Sequence, residues 1–490
     1  MSFITCPNSS IYIFTAIFNR YMDEEFDWLD SKEVKSLAKR FESMFKEGVQ
    51  YFFDVDEFEA IIDYYFEKGF IELSEKAVEK ALMQHPGYSV FRIREARLLA
   101  YRRKFYEALE LLNIVEMLEP TNVDIYLSKG EIYSQMNKHE MAIEEYKKSL
   151  PYTEAPEDVY TSIAYEYENL NNYALTIKYL KKALAITPES DDLIQEIAFF
   201  FEITSREEEA VEFFNKLLDD NPYSKLAWFN LGIFYNTLEL YEKAIESYEF
   251  VLAIDESYAA AYFNIANSYT GLKHYRTAIK HYEETFKYEE PEALTYQYIG
   301  ESYEHLGDLK KALLYYNKAI HLDDKFADVW AAIGKVFIQQ NMDKTAIRYF
   351  EKAIRLQPSN NDYKFELGVI HLKHNNLDKA EDLFEMIVKD EPGFGDAWIN
   401  FSLCKSLNDG YDRAIDVIEQ GLEYNKNNAS LWYRLAGYLY KSGKVQQAFY
   451  YIESAMKLDF DLHSELTDFM PELFQESRFT ELLGIYSSQQ

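Results

Sequence analysis

Apolar and polar positions follow a block pattern along this chain. In residues 227–235, AWFNLGIFY, large side chains fall at Trp228, Leu231 and Tyr235, which is the spacing of a helix with one apolar face. The phrase returns 34 residues later as AYFNIANSY, with Tyr262, Ile265 and Tyr269, and again with Trp330, Ile333 and Phe337. Followed in both directions, the period predicts twelve 34-residue repeats without insertion or deletion. They start at residues 55, 89, 123, 157, 191, 225, 259, 293, 327, 361, 395 and 429, and the last ends at 462.

Small residues hold the register. Position eight is Gly, Ala or Ser in every repeat but the first, where it is Ile62, and position twenty is Ala, Ser or Thr throughout, from Ser74 to Ala448. Small side chains at two fixed places let a pair of antiparallel helices approach closely. Position fifteen is Gly or Asn in seven repeats, among them Gly69, Asn171 and Gly443, residues that tolerate the left-handed backbone at a helix end. A second apolar set, such as Ala312, Tyr316 and Ala319, predicts the second helix, and proline at position thirty-two in six repeats, from Pro86 to Pro392, stops it.

A helix pair of this size cannot bury its apolar faces alone and must stack on its neighbours. The prediction is therefore an all-α solenoid, one continuous array, in place of the roughly three domains that the chain length alone suggests. Residues 1–54 form an N-terminal segment ending in a capping helix over residues 30–46, with Asp30 and Glu33 as its capping pair. Residues 463–490 close the other end with one or two helices carrying Leu466, Phe469, Leu473, Phe474, Leu482 and Leu483.

The apolar run at residues 11–18 has no basic residue before it and no small-residue cleavage site after it, so it fits a secretion signal poorly. It is too short to span a bilayer, and Cys6 lacks the flanks of a lipoprotein anchor. Translation from Met22, where the acidic patterned sequence begins, is a further expectation that an intact mass covering residues 1–490 would exclude.

Charge narrows the function. The formal net charge is −33 and the pI near 4.7, against a phosphate-binding surface on nucleic acid or an anionic membrane. Cys6 and Cys404 are the only cysteines, far apart and without metal-ligand companions, which points to a reducing, cytoplasmic compartment. Phosphate-cradling, dinucleotide, nucleophile-elbow and CxxC motifs are all missing. His139-Glu140 opens like a zinc helix, but Ile143 stands where the second histidine belongs. His371 and His374 share a helix face and read, as an isolated pair, as a solvated polar edge. Asn428-Ala429-Ser430 matches a glycosylation acceptor, which says little without an export signal. The expectation is a non-enzymatic protein with no cofactor and no metal.

Trp228, Leu231, Gly232 and Tyr235, followed by Ala244 and Tyr248, resemble the tetratricopeptide repeat, and the match extends over roughly four-fifths of the chain. The resemblance implies a right-handed superhelix whose first helices line a concave groove that receives a protein partner. If positions two, five, nine, twelve and thirteen face inward as in that family, the lining changes along the array. Aspartates at position two offset the helix dipole whether or not a ligand exists. With them discounted, the first five repeats still supply an acidic wall of Glu59, Asp63, Glu131, Glu168 and Glu202, together with Glu67, suited to a basic segment.

Repeats six and seven supply an uncharged patch of Phe229, Asn230, Ile233, Phe263, Asn264 and Asn267. Asn230 and Asn264 occupy the same repeat position and resemble the asparagine ladder with which O-linked N-acetylglucosamine transferases hold an extended chain. The alternative, that each amide satisfies a local helix carbonyl, stays open. Clamping of an acidic chaperone tail is not expected, because Phe263 stands where that mode uses a cation, and Leu294 and Gln297 follow. The expected function is a scaffold that binds a partner segment of basic and apolar character. A structural subunit docking through its convex face, its ends or a second copy is the first alternative. A regulatory partner of an enzyme on another chain is the second.

Overall fold

The computed structural model describes residues 31–487, and all regular structure within them is helical, with no strand. Residues 1–30, which include the apolar run, Cys6, Met22 and Asp30, lie outside the described residues. The chain divides into two units, residues 1–256 and 257–490, and each is a stack of helix pairs, an all-α repeat solenoid. First helices begin at Val55, Ser89, Val123, Pro156, Asp191 and Lys225 in one unit, and at Ala259, Ala293, Ala327, Asn361, Gly395 and Ala429 in the other. The step is 34 residues except at Pro156, whose ring suits the first helical position and starts that helix one residue early. A short turn leads to each second helix, as from Lys225–Thr237 to Tyr241–Ile254.

That turn has one conformation. The residue at position fifteen has positive φ in eleven of the twelve repeats, and in the remaining one the left-handed residue is Gly410, one place later. Glycine and asparagine account for seven of the eleven, but Arg103, Ser205, Glu239 and Lys273 adopt φ of 59°, 50°, 58° and 61°. The geometry is that of a helix end closed by paired bonds. Leu240 N–H donates to Tyr235 O at 2.8 Å and Glu239 N–H to Asn236 O at 3.0 Å. Packing of the two helices imposes this conformation even where the residue does not favour it.

In seven repeats helix spacing is set by position eight against an aromatic ring at position twenty-four. A Cβ on Gly232 would stand 2.5 Å from the Tyr248 ring, and one on Gly334 would stand 2.8 Å from that of Phe350. Those rings are fully buried, each worth about 1.5–3 kcal/mol relative to exposure. Indoles at position four tie four of the first helices to the turn before them. Trp228 donates to Pro222 O, Trp330 to Asp324 O, Trp398 to Pro392 O and Trp432 to Lys426 O, all at 2.8–2.9 Å.

The ends are covered. Helix Lys32–Glu47 packs Ala38 and Phe41 against the first pair, and Tyr65 Oη donates to Ala38 O at 2.9 Å. Its cap is Ser31, whose hydroxyl accepts from Val34 N–H at 3.2 Å. After residue 462 come His463–Phe469, a 3-10 turn at Pro471–Gln475 and Ser477–Ser487. Leu466, Met470, Leu473 and Phe479 are buried on Phe449 and Ile452, whereas Phe474 turns outward. Among the described residues, no helix is long and apolar enough to cross a membrane.

Candidate protein-binding face

Within each unit, first helices of successive repeats approach one another more closely than second helices do. Ser89–Tyr101 meets Val123–Gln135 and Asp191–Ile203 meets Lys225–Thr237 in one unit, and Gly395–Asn408 meets Ala429–Lys441 in the other. First helices thus occupy the inner side of each unit's curve, and their unburied side chains form its inner face.

The acidic residues on that face divide into two groups. Glu59 and Asp63 are closed by Arg94, at position six of the next repeat and outside the predicted inward positions. Arg94 Nε donates to Asp63 Oδ1 at 3.0 Å, and Arg94 Nη2 donates to Asp63 Oδ2 at 2.6 Å and to Glu59 Oε2 at 3.0 Å. Burial raises the Glu59 carboxyl and Arg94 opposes it. These two carboxylates join neighbouring first helices and present little charge to a partner.

Glu131, Glu168 and Glu202 form the second group. Burial raises all three carboxyls, with Arg97 partly offsetting the effect at Glu131. Solvent reaches Glu131 and Glu202, so the shift reflects protein mass around them, as expected on the inside of a curved stack. A fourth member is Glu196, which burial pushes up to about 7, with Glu168 and Asp192 adding to the rise and a 2.8 Å bond from Tyr165 Oη opposing it. Its Oε2 is buried and has no donor among the described residues. Glu196 stands at position six, beside the predicted inward positions two, five, nine, twelve and thirteen and not among them.

The uncharged residues show what their amides do. Asn230 Nδ2 donates to Leu226 O at 2.9 Å and Asn264 Nδ2 to Ala260 O at 2.8 Å, each to the carbonyl four residues back, and Asn400 does the same to Asp396 O. Asn230 is 5% exposed and Asn264 half-buried. The local-carbonyl alternative therefore describes these amides. Asn267 Oδ1 accepts from Tyr282 Oη at 2.6 Å, and Asn236 Nδ2 donates to Tyr248 Oη at 3.2 Å, so both satisfy hydroxyls of buried position-twenty-four rings. The aromatic and aliphatic part of the patch is half-buried. In the first unit Phe229 and Ile233 stand half-buried, Phe229 against Tyr248 at 5.6 Å. In the second unit Phe263 packs on Tyr282 and Tyr298 with ring centres at 5.4 and 5.6 Å.

Residues of catalytic type are used structurally. His139 Nδ1 bonds Glu166 at 2.6 Å, His374 Nε2 bonds Asp343 at 2.7 Å, and His371 is buried, so the last two do not share a ligand position. Cys404 is buried, which pushes its thiol up to about 12 and leaves no thiolate for nucleophilic chemistry. Asn428 caps Ala429–Lys441 by accepting from Leu431 N–H at 3.3 Å. Among the described residues, no group of three or more His, Cys, Asp or Glu is placed to hold a metal.

Two family models, both described as tetratricopeptide repeat, match the chain, one at residues 263–325, 333–393 and 407–459, the other at 123–151, 157–190 and 226–258. No curated protein matches it in sequence. Similar solved structures include YrrB, described as a TPR protein with an unusual peptide-binding site, at 21% identity and TM-score 0.31 over 38% of this chain and 96% of that one. Another is MamA, at 20% identity and TM-score 0.31 over 33% and 94%. A third is the C-terminal part of a TPR repeat-containing protein from Cytophaga hutchinsonii, at 19% identity and TM-score 0.42 over 52% and 99%. Repeats of this description mark scaffolds of protein–protein interaction, typically without enzymatic activity of their own. With a small residue at position eight in all repeats but the first, a left-handed turn after each first helix and family models matching six segments between residues 123 and 459, the chain belongs to the tetratricopeptide-repeat family.

Proposed function

We propose that this scaffold holds an extended segment of a protein partner on the inner faces of its first helices, and that residues 55–462 serve as twelve repeats for that purpose. A basic stretch of the partner meets Glu131, Glu168, Glu196 and Glu202. An apolar stretch meets Phe229 and Ile233 in the first unit, and Phe263 offers a like surface in the second. The observation that carries the reading is charge left without a counter-charge. Among the described residues, no lysine or arginine lies within ion-pair distance of Glu168, Glu196 or Glu202, although other carboxylates of the same unit, such as Asp63 and Glu145, are paired. Carboxyls in this setting favour a cationic segment through steering and register. The free, buried Cys404 accords with a reducing compartment, and the cytoplasm is the location proposed.

The test is site-specific photo-crosslinking in native cells, with p-benzoylphenylalanine at Glu202 or Ile233 on first helices and at Met117 on a second helix. One partner crosslinked from both first-helix positions and not from Met117 is the expected result. A partner captured from Met117 alone would overturn it.

The second reading, a structural subunit docking through its outer face, rests on helix Phe105–Leu118. That helix exposes Tyr106, Ile114, Met117 and Leu118 at 74%, 55%, 85% and 76%. A regulatory role on an enzyme would appear in the same experiment as an enzyme among the crosslinked chains.

A further inference from the structure

In the first unit, a carboxylate pair on one first helix is closed by a guanidinium from the next: Glu59 at position five and Asp63 at position nine receive Arg94 at position six of the following repeat. In the second unit the same positions of the eighth and ninth repeats read Gln297, Glu301 and Ala332. The side chain that would close the pair is missing, and a cavity of about 590 Å³ opens there, lined by all three residues.

We propose that this cavity is a docking subsite for one arginine side chain of a protein partner, whose guanidinium takes the place that Arg94 holds internally. The subsite rests on the reading that first-helix faces receive a partner, and it names the chemistry of one contact.

Three carboxylates face the cavity, and each is held by neutral donors. Gln297 Nε2 donates to Glu301 Oε1 at 2.7 Å. Glu304 accepts from Gln339 Nε2 at 2.6 Å and Tyr316 Oη at 2.8 Å, and Asp328 Oδ1 accepts from Tyr363 Oη. These bonds orient the carboxylates without cancelling their charge. Lys335 is the one lysine or arginine in the lining; its amine lies 3.6 Å from Glu366 outside it and partly offsets the burial that raises the Glu301 carboxyl. Among the described residues, nothing donates to the second oxygen of Glu301 or of Asp328. Gln297 Oε1 is a buried acceptor with no donor among the described residues. The cavity therefore offers separate acceptors and negative charge, with Ala331 and Ala332 leaving room beside them. A planar fork of five N–H donors answers the separate acceptors and the charge together, where an ammonium point charge answers the charge alone.

The experiment measures fluorescence anisotropy of a labelled peptide of alternating glycine and arginine on the full chain, with its citrulline counterpart as the uncharged control. Two variants are compared with the wild type. Ala332→Arg closes the cavity from within, and Glu301→Gln with Asp328→Asn removes charge without adding bulk. The expected result is a Kd for the arginine peptide weakened about tenfold or more in both variants, no binding of the citrulline peptide, and slowed hydrogen exchange in helix Ala327–Gln339 when the arginine peptide is bound. Ala332→Arg should also raise Tm in the absence of any peptide, since it repeats the contact that Arg94 makes.

Wild-type affinity in both variants would overturn the subsite. If Glu168→Gln weakens the peptide while Glu301→Gln with Asp328→Asn does not, the subsite falls and the broader reading stands. If partner crosslinking at Glu202 and Ile233 fails while the peptide still depends on Glu301, the subsite stands and the broader reading falls. Should Ala332→Arg not fold, the neutral double variant alone decides.

Discussion

Glu196 titrates near neutrality because the protein around it withholds water and because Glu168 and Asp192 stand nearby. Its ordinary value is 4.5 and its folded value about 7, so between those pH values the native state holds more protons than the unfolded chain. Stability from this group is present below pH 4.5 and lost as pH rises through 7. Glu196→Gln keeps an acceptor for Tyr165 and removes the charge. It should raise Tm by about 2 °C at pH 8, with the gain shrinking by pH 5.5, measured by circular dichroism. Arg94→Ala has the opposite sign. It leaves Glu59 and Asp63, one turn apart on one helix, without their partner from the next and should lower stability by about 1–3 kcal/mol in urea unfolding. At this scale legibility was uneven. Small residues and apolar faces declared themselves through the period, whereas the asparagines did not. Asn236 and Asn267 serve tyrosine hydroxyls twelve and fifteen residues away. A signal was available: position twelve is Asn236 or Glu304 where position twenty-four is Tyr248 or Tyr316, and Ile338 or Leu372 where it is Phe350 or Phe384. Glu202, in a repeat whose ring is Phe214, has no hydroxyl to receive and stays open to solvent.

Helix pairs are held by a balance that single substitutions can reverse. Gly232→Ala gains about 1 kcal/mol of helix propensity, but its methyl would meet the Tyr248 ring at 2.5 Å, and that ring is fully buried and cannot leave. Overpacking of this kind costs about 1–3 kcal/mol, so the variant should be less stable in urea unfolding, with the midpoint lowered. Glu239→Gly should go the other way. A side chain at φ 58° pays a left-handed penalty of about 1–2 kcal/mol, and glycine removes it at the cost of some unfolded-state freedom, leaving a gain of under about 1 kcal/mol. Turn position was readable wherever Gly or Asn marked it. At Arg103, Ser205, Glu239 and Lys273 only the period pointed to it, because the conformation there comes from how the two helices pack.

Across the whole molecule the excess of 84 acidic over 51 basic residues acts as self-repulsion. Screening lengths fall from about 30 Å at 0.01 M salt to about 8 Å at 0.15 M, so Tm should rise with added sodium chloride over that range, followed by scanning calorimetry. A fall would mean that pairs such as Lys364–Asp390 outweigh the net charge. The amino-acid order by itself determined the helices, their period, the small positions and most of the turns, because each is a local preference repeated at a fixed interval and so visible without knowing what touches what. Tertiary structure decided which charges survive. Arg94 cancels Glu59 and Asp63 from 35 and 31 residues away, Glu196 titrates near neutrality because its surroundings exclude water, and Ala332 leaves three carboxylates around an open cavity. Those outcomes depend on which side chains of successive repeats meet, and stacking brings that meeting about.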